Sequence, residues 1–486
     1  MNLISKRLTA PAALALVLFA TGPAALAAPA PESFAPLAEK VTPAVVNISS
    51  VHHPKAGATA DLPPDIPPGS PFEFFFRQFG GQNARPREVM GLGSGFIIDP
   101  DGYVVTNNHV IDEASGIKVT LPDGKQYDAK VIGADPQTDL AVLKIDAKRK
   151  LPYLEWGDSD ALKVGDWIIA VGDPFGLGGS VTAGIVSARS RDIHAGPFDD
   201  FIQVDASINQ GNSGGPTFDM NGRVVGINTA IATPNGGSVG IGFAIPSNLA
   251  RPIIQQLREG GKVQRGWLGV QVQEVTPELA SALGLSEPKG ALVSDVVPQS
   301  PAEKAKLKQG DVILTFDGRD VKEMRDLPRI VADTPANKSV ELGIWRNGHE
   351  VKQSVTIARQ DKRAQELAQG ETPETPSADT SNAESVDSGT LGTTLSSLND
   401  DARQRYQIAD DVKGVVITGV EPGGVAAEQG LREGDVIVSV NQQDVSSPAE
   451  VEKLAKSAKD QKKDALLLLV NRGGNQLFVG LNLSQA

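Results

Sequence analysis

Ser213 lies in the run Gly211-Asn212-Ser213-Gly214-Gly215-Pro216. Glycines on both sides let backbone approach a bound group closely and let N–H groups converge on one point. A serine that attacks a carbonyl needs an exposed hydroxyl and two backbone donors about 3 Å from the developing oxyanion. The N–H groups of Gly211 and Ser213 are the candidate donors. An ordinary Gly-rich turn with a bystander serine has the same composition, so the run means little without a base, because a free serine hydroxyl is a weak nucleophile. The chain has five histidines. His52 and His53 open a Pro-rich insert, His194 sits in a polar loop, and His349 follows the hairpin-tip pair Asn347-Gly348. His109, in Thr106-Asn107-Asn108-His109-Val110, directly follows the apolar run Tyr103-Val104-Val105 and has the best context for a general base. The base in turn needs an acid to fix its tautomer. Asp139 precedes the apolar run Leu140–Ile145 and is the first choice. Asp205, close before Ser213, is the rival, and Asp112 reads as a turn or cap residue.

These residues must be held by strands. Short apolar runs bounded by Gly, Pro and Asp recur from Gly91 to about Ser247, with hairpin signals at Asp101-Gly102, Pro122-Asp123-Gly124 and Asn221-Gly222. Many closely spaced short strands predict an all-β barrel or sandwich. The chain order His109, Asp139, Ser213 is the order used on a double β-barrel. One helix is predicted after Pro246, over Leu249 to Arg258, with Ser247 or Asn248 as its cap. The C-terminal half repeats itself. Lys289–Val321 aligns without a gap onto Lys413–Val445 at an offset of 124, with 12 of 33 positions identical. Gly310-Asp311-Val312-Ile313 returns as Gly434-Asp435-Val436-Ile437, so one small domain occurs twice. Between the copies, residues 361–388 are rich in Glu, Thr, Ser, Ala, Gln and Pro and read as a flexible acidic linker.

The bulk numbers narrow the function classes. In 486 residues there are 46 basic and 59 acidic side chains, a formal charge of −13, which disfavours nucleic acid as a partner. Cysteine is absent, which removes disulfides and thiolate chemistry. No His-Glu-x-x-His occurs, and Gly176-Leu177-Gly178-Gly179-Ser180 lacks the lysine of a phosphate loop, so neither a metal nor a cofactor is expected. Lys6 and Arg7, the apolar run Leu8–Ala20 and the small residues Ala25-Leu26-Ala27 predict a signal peptide over residues 1–27, with no retained membrane anchor. Residues 52–90 interrupt the strand pattern with paired prolines and the run Pro71–Phe79, rich in phenylalanine, which predicts an interface anchor or a local core.

The runs Gly93-Ser94-Gly95-Phe96, Thr106–Val110, Asp139-Leu140-Ala141-Val142, Gly211–Gly215 and Gly240–Pro246 together resemble the HtrA/DegP family of periplasmic serine endoproteases, and the likeness extends from about Pro36 to the C-terminus. The resemblance implies a chymotrypsin-like double β-barrel serine protease domain over residues 36–258, carrying the insert at 52–90 as a regulatory loop. PDZ domains over 264–358 and 389–484 follow. It gives His109 the role of general base, Asp139 that of orienting acid and Ser213 that of nucleophile. It places the oxyanion hole at Gly211, Asn212 and Ser213, and the specificity pocket around Ile208, Ile231 and Ala232, where the small Ala232 implies a wide aliphatic pocket. Arg265-Gly266-Trp267-Leu268-Gly269 resembles the loop that receives a peptide carboxylate. The family's properties further imply unfolded or misfolded protein substrates, peptide C-termini at the PDZ domain, a trimer-based homo-oligomer that builds to a hexamer or larger cage, and chaperone activity. A regulatory protease cutting one membrane partner is the runner-up, since such relatives typically carry a retained anchor and a single PDZ copy. A binding or chaperone protein on a dead protease scaffold is the third reading, and it would show as a missing triad member.

Overall fold

The computed structural model describes residues 31–52, 89–173, 179–193, 195–196, 198–209, 211–233, 237–360, 385–388, 391–461 and 463–483. The expected signal peptide, most of the Phe-rich insert, His53 and His194 lie outside the described residues. Seven strands form the first sheet: β1 (Val45–His52), β2 (Val89–Asp99), β3 (Tyr103–Thr106), β4 (Gly116–Thr120), β5 (Gln126–Asp128), β6 (Lys130–Asp135) and β7 (Leu140–Lys144), in the order β5-β4-β1-β2-β3-β7-β6. Six more close a barrel in the order β10-β13-β12-β11-β8-β9: β8 (Trp167–Gly172), β9 (Ser180–Arg191), β10 (Phe201–Val204), β11 (Pro216–Phe218), β12 (Val224–Ile231) and β13 (Gly242–Pro246). The apolar runs make these strands because both sheets curl around filled interiors. Ile48, Phe96, Val105, Leu140, Val142 and Phe218 are all buried in one continuous core that spans the two sheets. Nine of the thirteen strand runs were legible as apolar runs bounded by turn residues.

The predicted helix exists and is longer than expected, at Ser247–Gly260, but neither proposed cap acts as one. Pro246 is the N-cap, the Ser247 hydroxyl donates to the carbonyl of Gly157 at 2.9 Å, and the Asn248 amide reaches Asp158 and Asp160. Both side chains are spent on tying the helix to the loop before β8. A capping residue would have had to turn back on its own helix.

Each repeat is a β-sheet domain. In the first, β14 (Gly266–Trp267) pairs with β21 (Ala358–Arg359), and a sheet runs β15 (Val270–Glu274), β16 (Ala291–Val296), β17 (Val312–Phe316), β19 (Ser339–Arg346), β20 (His349–Thr356), with β18 (Arg319–Asp320) on β17. The second has β22 (Ser385–Ser388), β23 (Thr393–Ser397), β24 (Val415–Val420), β25 (Val436–Val440), β27 (Ala465–Arg472) and β28 (Asn475–Asn482) in that order, with β26 (Gln443–Asp444) on β25. Residues 385–388, read from composition as the end of a flexible linker, are thus a strand of the second sheet. The two repeats meet through Leu279, Leu283, Leu292 and Val312 on one side and Leu467, Leu469 and Phe478 on the other.

The repeated Gly-Asp-Val-Ile motif has a structural use in both copies. Buried Asp311 accepts from Arg346 Nε and Nη2, both at 2.6 Å, and from the Lys308 N–H at 2.7 Å. Asp435 repeats this with Arg472 and the Arg432 N–H. The Asp311 hydrogen bond holds the Arg346 guanidinium pKa above its ordinary value. Asp311→Ala would leave that guanidinium without its carboxylate, and breaking such a pair costs about 3 kcal/mol. The expected result is a lower denaturation midpoint for the first repeat, read by urea titration, with the Asp435→Ala variant doing the same to the second.

Candidate active site

The two halves of the site come from the two sheets. The short helix Asn108–Ile111 follows β3 and carries His109. Asp139 immediately precedes β7, the neighbour of β3, with φ at +55°. That left-handed turn aims its carboxylate back across the sheet. Oδ1 accepts the backbone N–H of His109 at 2.9 Å, and Oδ2 meets His109 Nδ1 at 2.7 Å. The backbone carbonyl of Asp139 is itself fixed by the Asn107 side-chain amide at 2.8 Å and by the Asn108 N–H at 3.1 Å. The sequence run Thr106–Val110 is therefore a cradle for Asp139 as much as a carrier of His109.

Ser213 lies between β10 and β11 of the closed barrel and is largely buried. Its carbonyl accepts the Ser94 N–H at 2.8 Å, which pins it to β2. Gly214 has φ at +84°, and a Cβ there would meet Ser94 O and Thr106 Oγ1, each at 2.3 Å. Only glycine fits where the Ser213 loop presses on the first sheet. Gly93 serves the same contact from the other side, where a Cβ would strike Val110 at 2.6 Å. The N–H groups of Gly211 and Ser213 have no acceptor among the described residues. The Asn212 N–H does have one, the carbonyl of Asn209 at 3.0 Å, so in this conformation it is not available to an oxyanion.

Thr229 joins the two halves, and nothing in the sequence singled it out. It is the extra residue of a register shift on β12, where Asn228 faces Ala244 and Ala230 faces Phe243. A bulge of this kind re-aims a side chain. The Thr229 hydroxyl donates to Asp139 Oδ2 at 2.7 Å, while its carbonyl lies 3.4 Å from Ser213 Oγ. A Ser, Thr or Asn on the second strand after the Ser213 loop would have been the only sequence signal. Thr229→Val keeps the shape and removes one donor to a carboxylate. A hydrogen bond to a charged group is worth about 1.5–3 kcal/mol, so kcat on a peptide substrate is expected to fall about tenfold or more, with KM little changed.

The remaining candidates fall elsewhere. Asp205 Oδ1 accepts the Ile185 N–H at 2.6 Å and belongs to the β9–β10 pairing, away from His109. Exposed Asp112 follows the His109 helix as its C-cap. His52 Nε2 is bonded to Ser50 Oγ, and exposed His349 to the carbonyl of Asn347. Ile208 and Ile231 share one apolar cluster, and Gly242 leaves room beside Ile208, where a Cβ would come to 2.7 Å. Ala232 packs instead on the large shared core, with its N–H on the carbonyl of Ile241. Among the described residues no group of His, Asp and Glu could hold a metal ion.

In the first repeat, the carbonyls of Leu268 and Gly269 accept from Ala302 and Val297, and the N–H groups of these two residues have no acceptor among the described residues. Trp267 lies over Gly269, where a Cβ would come within 3.0 Å of its ring. Arg265 does not stand free beside this loop. It is buried, and its guanidinium makes a two-pronged pair with buried Asp135 at the end of β6, at 3.0 and 2.5 Å. That partner lies far back in the chain, and the resemblance that placed Arg265 in the loop does not register it.

Residues 93–227 match the trypsin-like peptidase domain, and residues 266–357 and 381–470 each match the PDZ domain. A protein of Brucella suis biovar 1 (strain 1330) named "Probable periplasmic serine endoprotease DegP-like" is 45% identical over 483 residues, covering 94% of this chain and 91% of its own. One of the same name from Rhizobium meliloti (strain 1021) is 42% identical over 515 residues, covering 98% and 99%. The solved structure of the HtrA-type protease AlgW with tripeptide is 39% identical with a TM-score of 0.57, over 68% of this chain and 98% of that one. A Ser, His and Asp set on a trypsin-like domain ahead of two PDZ domains, with full-length relatives of one kind, shows that this chain belongs to the HtrA/DegP family of periplasmic serine endoproteases.

Proposed function

We propose that Ser213, His109 and Asp139 are the catalytic triad and that the enzyme degrades misfolded or damaged envelope proteins without ATP. The observation that carries the triad is the Asp139 carboxylate, which holds His109 by backbone and by ring at once and reaches the Ser213 loop through Thr229. In the reaction His109 Nε2 takes the hydroxyl proton of Ser213 as Oγ attacks the scissile carbonyl. The N–H groups of Gly211 and Ser213 receive the oxyanion. His109 then protonates the leaving amine, and water, activated by the same ring, releases the acyl group. A folded substrate cannot offer an extended segment to such a cleft, which is the source of selectivity for unfolded chains. The N–H groups of Leu268 and Gly269 are suited to a peptide C-terminal carboxylate. A trimer-based oligomer and chaperone activity complete the reading.

Casein digestion by the wild type and by Ser213→Ala, both run on a sizing column, tests it. A wild-type chain that is folded, assembled and inert would end the reading. A pocket built on Ile208 and Ile231, with Ala232 directly following Ile231 in the chain and packed on the neighbouring core, carries no charge and favours aliphatic residues before the cut. Ala232→Leu is expected to shift cleavage toward smaller residues there, since about a methylene of lost space changes discrimination by 1–3 kcal/mol. Cleavage-site profiling of both forms checks this, and identical profiles would remove Ala232 from the pocket.

A further inference from the structure

The two PDZ domains differ at one edge. A PDZ domain takes a peptide by strand addition between an edge strand and a helix. In PDZ1 that edge strand is β15, which ends its sheet. Shifted by the repeat offset, β15 corresponds to β23 in PDZ2, and the helix Asp326–Ala332 corresponds to Pro448–Asp460. β23 does not end its sheet, because β22 pairs with it. The register is antiparallel: Ser385 faces Ser396, Val386 faces Leu395, Asp387 faces Thr394 and Ser388 faces Thr393. β22 also lies against the helix Pro448–Asp460.

Direction matters as much as position. A peptide that adds antiparallel to an edge strand, with its carboxylate in the loop before that strand, has its last residue opposite the strand's first. Ser388 is opposite Thr393, the first residue of β23, and the loop before it ends in Leu391-Gly392, the counterpart of Leu268-Gly269: Gly392 has a positive φ as Gly269 does, and its carbonyl accepts the Glu421 N–H at 2.9 Å as that of Gly269 accepts the Val297 N–H at 3.0 Å. Where a bound peptide would end stands Ser388, a few residues before that same loop in the chain. We propose that PDZ2 is closed by its own chain: Ser385–Ser388 fill the peptide groove as an added strand, so PDZ2 accepts an extended peptide only when this segment leaves. The segment suits a reversible closure. It carries two serines and an aspartate with a single valine, so it brings little apolar area and is held by backbone hydrogen bonds that any incoming peptide can replace. It follows a stretch rich in Glu, Thr, Ser and Pro, which supplies the chain length needed for it to leave. PDZ1 has no such strand on β15 among the described residues, so substrate ends meet PDZ1 first.

The proposal rests on reading both repeats as peptide binders, and the test separates the two. The full chain with Ser213→Ala, which spares the probe from cleavage, is compared with the same chain also carrying Val386→Pro and Asp387→Pro. Successive N–H groups in a strand point to opposite sides, so one of the two prolines removes a bond to β23 whichever way the segment faces. Amide exchange over Thr393–Ser397 is expected to rise at least tenfold, with exchange over β25 and the helix Pro448–Asp460 unchanged. A synthetic peptide with the sequence of residues 383–388 and a free C-terminus is expected to restore protection in the proline variant and to do nothing to PDZ2 in its parent. Unchanged exchange over Thr393–Ser397 would overturn the closure. Restored closure failing while the peptide protects β15 would leave PDZ1 as a binder and refute PDZ2 as one. If the prolines unfold PDZ2 as a whole, Asp387→Cys with Thr394→Cys decides: in a chain with no other cysteine the pair is expected to form one disulfide in oxidising buffer, and failure to form it overturns the proposal.

Discussion

Ser213→Ala is expected to lower kcat/KM on an unfolded substrate by about a millionfold while leaving the fold and assembly intact. In the proposed triad the lost atom is the nucleophile, and the hydroxyls of Thr229 and Ser94 are already engaged. The neighbouring Thr229 hydroxyl is committed to Asp139, and the Ser94 hydroxyl donates to the carbonyl of Gly211. The residue has little structural role through its side chain, since Ser213 is held by its carbonyl on the Ser94 N–H and, among the described residues, its Oγ makes a single long contact of 3.4 Å to the Thr229 carbonyl. Circular dichroism and sizing should therefore match the wild type. His109→Ala is expected to lose activity on the same scale. The double variant should be no worse than either single one, because a nucleophile without its base and a base without its nucleophile fail at the same step. Residual hydrolysis above water, from oxyanion donors and substrate binding, is expected in all three. A double variant a further thousandfold slower would mean that the two residues act independently and would break the assignment.

What sequence could show follows from the range of the interactions. Ser213 and its glycines were readable because close approach of two chains leaves a local mark: Gly93 and Gly214 stand where a single carbon would collide. His109 was readable by elimination among few histidines. Asp139 against Asp205 was not decided by spacing, since both are strand-edge acids. The decision lies in β7 being the neighbour of β3, a pairing between distant segments that puts Asp139 beside His109. Thr229 was invisible because its role depends on a one-residue bulge, and a threonine inside a strand run looks like any other. Arg265 was misread for a similar reason. The family resemblance placed Arg265 in the carboxylate loop, and only the fold reveals that Asp135 already pairs with it. The strand Ser385–Ser388 escaped because composition measures what a segment can bury, and this one is held through its backbone.

Asp139→Asn is expected to cut kcat by about 10⁴ with KM changed by no more than a few fold. The backbone gives a clean test. Asp139 has φ at +55°, a region that asparagine tolerates as readily as aspartate, so the turn should survive. The His109 N–H must still find an oxygen at the Oδ1 position, which places the new amide nitrogen where Oδ2 was. That nitrogen then faces His109 Nδ1 as a donor and meets the Thr229 hydroxyl, itself a donor, in the same place. Nδ1 is forced to accept, and the ring proton moves to Nε2. A ring protonated at Nε2 cannot take the Ser213 proton, so the base is present and in the wrong tautomer. Turning the amide over does not escape this. It restores an acceptor to His109 Nδ1 but sets an NH2 against the His109 backbone N–H, which displaces the helix that carries the ring. A kcat loss well below a hundredfold would mean that Asp139 only packs beside His109. A loss near 10⁴ that Thr229→Val does not deepen in proportion would show that Thr229 acts through the carboxylate and has no separate contact with the reacting atoms.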